Sequence, residues 1–261
     1  MIAAIGVAIG WGMEAPCHDH IANSSTMLSG VHIMTHFSFD IVGFDLDGTF
    51  LDTSGDLLAA VNDTLGFADR PLLSVEQIKP MIGGGAKHML TLGLEASGGC
   101  EADEFRSLYK RMLGYYEAHI SVHSHPYPGV LDVLDRFDAM GVKAAIVTNK
   151  FEAFAEKLLG ELGLRQRFSA LIGGDTMGKG LAKPHRAPID EMIRRCGGEA
   201  GGGRAAFIGD SIYDIMAAKN AGIPGIAVSF GFLMQPIEEL GADAVIDGYD
   251  ELIPTLERLG T

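Results

Sequence analysis

Six short apolar runs, Ile41–Phe44, Val142–Val147, Ala170–Ile172, Ala205–Ile208, Gly225–Val228 and Ala244–Ile246, alternate with segments whose apolar residues recur at helical spacing. Strands separated by helices of this length pair in parallel through right-handed crossovers. The pattern therefore predicts an α/β fold with a doubly wound, Rossmann-like parallel sheet. In such a sheet all strand C-termini share one edge, and ligands bind outside that edge. The polar residues placed just after each run are thus the ones the fold can bring together.

After the first run comes FDLDGTFLDT, Phe44–Thr53. Asp45 and Asp47 follow the strand at a spacing that lets both reach one site, Gly48 allows a sharp turn, and Thr49 adds a hydroxyl. Asp and Gly are also ordinary turn residues, so this stretch acquires meaning only with the rest of the chain. Thr148 and Asn149 follow the second run, Lys183 stands in the loop after the third, and Asp210 follows the fourth with Asp214 one turn into the next helix.

Between about Asp56 and Tyr127 the pattern contains helices and no strand. Helical stretches at Val75–Ile82, Ala86–Leu94 and Ala102–His119 are separated by Gly83-Gly84-Gly85 and Gly98-Gly99. The expected organisation is a core of residues 39–54 and 127–261 with a helical insertion, 55–126, after the first strand. Lys87, just past the triple glycine, is a candidate contact for an anionic ligand. Residues 1–38 read as a poorly ordered extension: Met1–Gly12 is apolar but has no basic residue before it and is too short to span a bilayer. Cys17, His18, His20, His32 and His36 show no zinc-like spacing.

Composition narrows the partners. A formal charge of −14 argues against nucleic acid or an anionic membrane, because phosphate backbones attract basic surfaces. A small anionic substrate stays open, since a metal ion and a lysine can reverse the local sign. Cys17, Cys100 and Cys196 are scattered and odd in number, the pattern of a reducing, cytoplasmic compartment. Monomer and homodimer both remain open.

Phosphoryl transfer is the chemistry that needs this set. Two or three carboxylates would repel a phosphate ester unless a divalent cation bridged them, and Mg²⁺ suits hard oxygen ligands. Asp45 and Asp210 would coordinate it, Asp47 would lend its backbone carbonyl, and Asp214 would support from behind. Asp45 would then attack phosphorus to form an aspartyl-phosphate, while Asp47 acts as acid and then base. Thr148 and nearby N–H groups would bind phosphoryl oxygens, with Asn149 beside them, and Lys183 would neutralise the remaining charge.

The chain resembles the haloacid dehalogenase-like hydrolases, with motifs at DLDGTFLDT, VTNK, KPHRAP and GDSIYD in order over about Asp40–Leu259. The resemblance implies that the first Asp is the nucleophile, the second the acid/base, and the insertion a mobile cap. The presence of Asp47 sets the chain apart from the dehalogenating branch, which lacks that second acid. PYPGV, TNK, GGDT and KPH look most like bacterial phosphoglycolate phosphatases. Sugar-phosphate phosphatase, pyrophosphatase and phosphoglucomutase-like transferase share the same core, and a non-catalytic binding protein would have no need of the full acidic set. Three departures stand out: Phe50 where Leu is usual, Arg186 where a second Pro is usual, and a longer Met177–Ala182 loop.

Overall fold

The computed structural model describes residues 37–199 and 204–261. The expected N-terminal extension lies outside them except for its last two residues. The Phe37 ring packs 6.1 Å from Phe39 and 6.2 Å from Phe137. The Ser38 hydroxyl donates to the Gly260 carbonyl at 3.0 Å. Of the glycine-rich stretch Gly197–Gly203, only the part as far as Glu199 is described.

Six parallel strands form the sheet: β1 (Ile41–Phe44), β4 (Lys143–Val147), β5 (Ala170–Ile172), β6 (Ala205–Gly209), β7 (Gly225–Val228) and β8 (Ala244–Ile246), in the order β5-β4-β1-β6-β7-β8. Alternation decides which face each residue takes. Val42 and Phe44 of β1, Ala144 and Ile146 of β4, and Ala206 and Ile208 of β6 share one apolar cluster. Their neighbours Ile41, Ala145, Val147, Ala205 and Phe207 belong to the cluster on the opposite face. Both faces are covered, which is why the runs read as continuously apolar. Helices α7 (Ala187–Arg195) and α8 (Ile212–Ala221) contribute Ile189, Met192 and Ala217 to the second cluster. Helices α5 (Val130–Met140) and α9 (Leu252–Leu259) contribute Phe137 and Leu256 to the first, and α6 (Glu152–Glu161) adds Leu158. Each large apolar side chain buried in this way stabilises the fold by roughly 1.5–3 kcal/mol.

Register sets the working edge. Phe44 stands level with Ile146 on one side and Ile208 on the other. The residues after them, Asp45, Val147-Thr148 and Gly209-Asp210, are therefore level too. The strand order reverses at β1, with β4 and β5 to one side and β6, β7 and β8 to the other, so this edge is also the topological switch point where open α/β sheets bind ligands.

Two short strands correct the sequence reading. Leu51–Asp52 (β2) pairs antiparallel with His125–Pro126 (β3), where the sequence shows only helical patterns and loop. Between them lie α1 (Ser54–Phe67), α2 (Val75–Ile78) with a 3₁₀ turn at Lys79–Met81, α3 (Ala86–Glu95) and α4 (Ala102–Ala118). Helices α1 and α4 pack along each other. They bury Leu57, Val61 and Leu65 from α1 and Leu108, Met112 and Tyr116 from α4. Asp56 ties the two ends of the insertion together. Its carboxylate accepts from the backbone N–H groups of His123 and Ser124, both at 2.9 Å, and from the Ser124 hydroxyl at 2.7 Å.

Candidate active site

Asp45 is the first residue beyond β1, and its N–H continues the ladder by donating to the Ile208 carbonyl at 2.8 Å. The chain then folds back tightly. Gly48 adopts φ +84°, and a Cβ there would lie 2.2 Å from Asp210 Oδ2. Only glycine fits both the left-handed turn and that approach. Thr49 donates to Asp210 Oδ1 at 3.3 Å, and the Phe232 N–H, from the loop after β7, donates to Oδ2 at 2.6 Å. The Tyr249 hydroxyl donates to the Thr49 carbonyl at 2.8 Å and pins the loop from below.

Carboxylate oxygens of Asp45, Asp210 and Asp214, all three side chains buried, lie within 4.8 Å of one another. One cation answers them. Lys183 Nζ, with its side chain 1% exposed, is 2.8 Å from Asp45 Oδ1 and 2.5 Å from Asp214 Oδ1, and donates to the Val147 carbonyl at 2.8 Å. Its approach to Asp45 is a buried ion pair. Asp214 is fully committed, because its second oxygen accepts from the N–H of Ser211 at 3.0 Å and from the Ser211 hydroxyl at 2.5 Å.

The electrostatics follow. Burial pushes the Asp45 carboxyl up to about 7, with Asp214 adding to the rise and Lys183 opposing it. Burial likewise pushes Asp210 well above the carboxylate range, helped by Asp214 and Asp45. For Lys183 burial opposes the charge, yet Asp214 and Asp45 outweigh it and lift the pKa above that of an ordinary lysine. Three formal negative charges against one positive leave two uncompensated, the charge a divalent cation supplies. Hard carboxylate oxygens gathered at this spacing, self-repelling without a metal, fit Mg²⁺.

Asp47 faces another way. Lys150 Nζ donates to both of its oxygens at 2.7 Å, and Thr53 donates to Oδ1 at 2.7 Å. Asp45 and Asp47 border a cavity of about 60 Å³, walled on the sheet side by Thr148 and on the helical side by Met89, Met112 and Tyr116.

The sequence profile of the haloacid dehalogenase-like hydrolases matches residues 42–228. The chain belongs to that family. It is 38% identical over 209 residues to a phosphoglycolate phosphatase of Caulobacter vibrioides, covering 80% of this chain and 86% of that protein. It is also 38% identical over 215 residues to a phosphoglycolate phosphatase of Agrobacterium fabrum, covering 82% and 90% respectively. A crystal structure from Haemophilus somnus, described as a predicted phosphoglycolate phosphatase, superposes with a TM-score of 0.77 at 28% identity over 84% of this chain and 98% of that one.

Within this haloacid dehalogenase-like hydrolase most of the residues singled out in the sequence meet at the sheet edge. Asp45, Asp210, Asp214 and Lys183 form the buried cluster, and Thr148 and Asp47 border the cavity. Asn149 also lines the cavity, but its Nδ2 donates to the Lys183 carbonyl at 3.2 Å and the Gly83 carbonyl at 3.4 Å, so it ties the triple-glycine loop to the core. Lys87 is not brought in. It is exposed on the first turn of α3 and does not line the cavity, although Gly83 and Gly85 do. Lys150, the last residue of VTNK, reaches the cavity instead, and its place two residues beyond a strand-end threonine was the available signal. Phe232 and Tyr249 had none, being apolar and aromatic residues distant in sequence. Of the departures from the family pattern, Phe50 is buried and sets its ring edge-on to Phe168 at 5.0 Å, a packing role, while Arg186 pairs with Asp190 on the surface of α7.

Proposed function

We propose that this chain is a Mg²⁺-dependent phosphomonoester phosphatase that hydrolyses 2-phosphoglycolate to glycolate and phosphate. The observation that carries the reading is one residue facing two environments. Asp45 belongs to the buried carboxylate cluster and also borders the small cavity beside Asp47. A phosphoryl group held there meets a nucleophile, while the leaving group occupies the cavity next to a second carboxyl.

Asp45 and Asp210 would hold the cation, with the Asp47 backbone carbonyl, and Asp214 would act behind them by fixing Lys183. The bound Mg²⁺ would draw charge from the phosphoryl oxygens, so that a carboxylate can approach an anionic ester. The protein's own groups do the rest. Asp45 attacks phosphorus, the ester P–O bond breaks, and Asp47 gives a proton to the departing oxygen. Asp47 then takes a proton from the water that hydrolyses the aspartyl-phosphate. Thr148 and Lys183 stabilise the phosphoryl oxygens throughout, Lys183 from a buried position where its charge is least screened.

Size supports the substrate. At about 60 Å³ the cavity has room for only a handful of water-sized groups. Glycolate has five heavy atoms, whereas a hexose has about twelve. The walls contributed by Met89 and Met112 support reading the helices between β2 and β3 as a cap that selects the leaving group and excludes water. A rapid acid quench with 2-[³²P]phosphoglycolate tests the chemistry: label is expected on the wild-type chain and absent from Asp45→Asn. Label retained by that variant would remove Asp45 as nucleophile.

A further inference from the structure

The cavity contains two polar groups that the hydrolytic steps above leave unused. Lys150 is the only cation among the described residues lining it. Its side chain is 6% exposed. Two of its three N–H bonds are satisfied by Asp47, and the ammonium also lies within reach of the Tyr116 hydroxyl. Its ammonium sits 4.9 Å from the centre of the Tyr116 ring. Tyr116 comes from α4, and its hydroxyl is buried; the Lys150 ammonium can donate to it, but its own proton finds no acceptor among the described residues. A buried O–H without an acceptor is costly, so its place beside a cation calls for an acceptor that arrives from outside.

We propose that Tyr116 and Lys150 form the recognition site for the carboxylate of the substrate's leaving group, the hydroxyl donating its unpaired proton and the ammonium supplying the opposing charge. This deepens the phosphatase reading and rests on it. Leu57, Ile82, Met89 and Phe154 on the remaining walls are apolar, Asn149 Nδ2 is already engaged by the Lys183 and Gly83 carbonyls, and Thr148 is assigned to the phosphoryl oxygens. A neutral leaving group would leave the Tyr116 proton unpaired, which is how a polar site rejects an analogue lacking its partner. Burial holds the Tyr116 hydroxyl protonated, its pKa pushed up to about 12, so it donates at neutral pH. Because Tyr116 is part of the helical insertion and Lys150 follows β4, the carboxylate would bridge insertion and sheet.

The test compares kcat/KM for 2-phosphoglycolate and for 2-hydroxyethyl phosphate, in which a hydroxymethyl group replaces the carboxylate, with Mg²⁺ present. Wild type is expected to prefer 2-phosphoglycolate. Each charge-assisted hydrogen bond lost should reduce that preference by about 10- to 100-fold. Tyr116→Phe keeps the ring and should show its loss mainly in KM for 2-phosphoglycolate. Lys150→Met should reduce the preference further, and Lys150→Arg, which keeps the charge and the pair with Asp47, should recover part of it. The ratio between the two esters isolates recognition, because any disturbance of Asp47 or of folding lowers both rates together. A wild-type preference that persists in Tyr116→Phe and Lys150→Met overturns the proposal and leaves the phosphatase reading standing. Efficient wild-type hydrolysis with no preference for the carboxylate ester overturns the proposal and the choice of substrate together.

Discussion

Replacing Lys183 with methionine keeps an unbranched stem of nearly the same length and removes one charge. In the native site Nζ lies 2.8 Å from Asp45 Oδ1 and 2.5 Å from Asp214 Oδ1, and it donates to the Val147 carbonyl. Deleting one partner of a buried ion pair costs about 3–5 kcal/mol, because the other charge is left uncompensated. Here the carboxylates have an escape, since Asp45 already titrates near 7 with Lys183 present and would take up a proton without it. The lower end, about 3 kcal/mol, is therefore the expected loss at pH 7.5 without divalent cations. At roughly 2–4 °C per kcal/mol for a chain of this size, Tm should fall by about 6–12 °C. The sign with pH is fixed. Carboxyls whose folded pKa is raised contribute stability at low pH that is lost as pH rises through the folded value, so the deficit should shrink from pH 8 to pH 5.5. Thermal melts of both proteins with a chelator present, repeated across that range, measure it. A variant melting within about 2 °C of wild type at pH 7.5, or a deficit that grows toward acid, would refute the reasoning.

Two further outcomes rest on other parts of the structure. Gly48→Ala puts a methyl 2.2 Å from Asp210 Oδ2 at a φ of +84°. At about 10²-fold per ångström of misplacement, kcat/KM should fall roughly a hundredfold, and a change under threefold would contradict the role given to the turn. Asp56→Ala deprives the buried backbone N–H and hydroxyl of Ser124, and the half-buried N–H of His123, of their acceptor. The expected cost is about 3 kcal/mol, read as a lowered urea midpoint, and an unchanged midpoint would show that Asp56 does not hold the insertion in place.

Much of the site was legible because its residues follow strands that are themselves legible. Each of the six sheet strands is an apolar run bounded by turn residues, and their aligned C-termini place Asp45, Thr148 and Asp210 level from topology alone. Strands β2 and β3 were not legible. They are two residues each, include a charged residue and a proline, and exist because Asp56 and the surrounding core bring distant segments together. Lys87 stands out in the sequence by its charge beside three glycines, and two of these, Gly83 and Gly85, do line the cavity. The phase of α3 argued otherwise: Met89, Leu90, Gly93 and Leu94 mark its buried stripe, and Lys87 lies off it. Lys150 and Tyr116 were out of reach for a different reason. Their significance lies in a 4.9 Å approach between a loop after β4 and a helix of the insertion, a contact no local pattern encodes.

The central claim is that the Asp45 edge performs metal-dependent phosphate-ester hydrolysis on a small carboxylated substrate. Phosphate release from 2-phosphoglycolate, hexose phosphates and pyrophosphate, each with Mg²⁺ and with a chelator, tests it most directly. The account predicts Mg²⁺-dependent release that is fastest from 2-phosphoglycolate. Equal or faster release from a hexose phosphate would contradict the reading of the cavity, and no metal-dependent release from any ester would contradict the reading of the site.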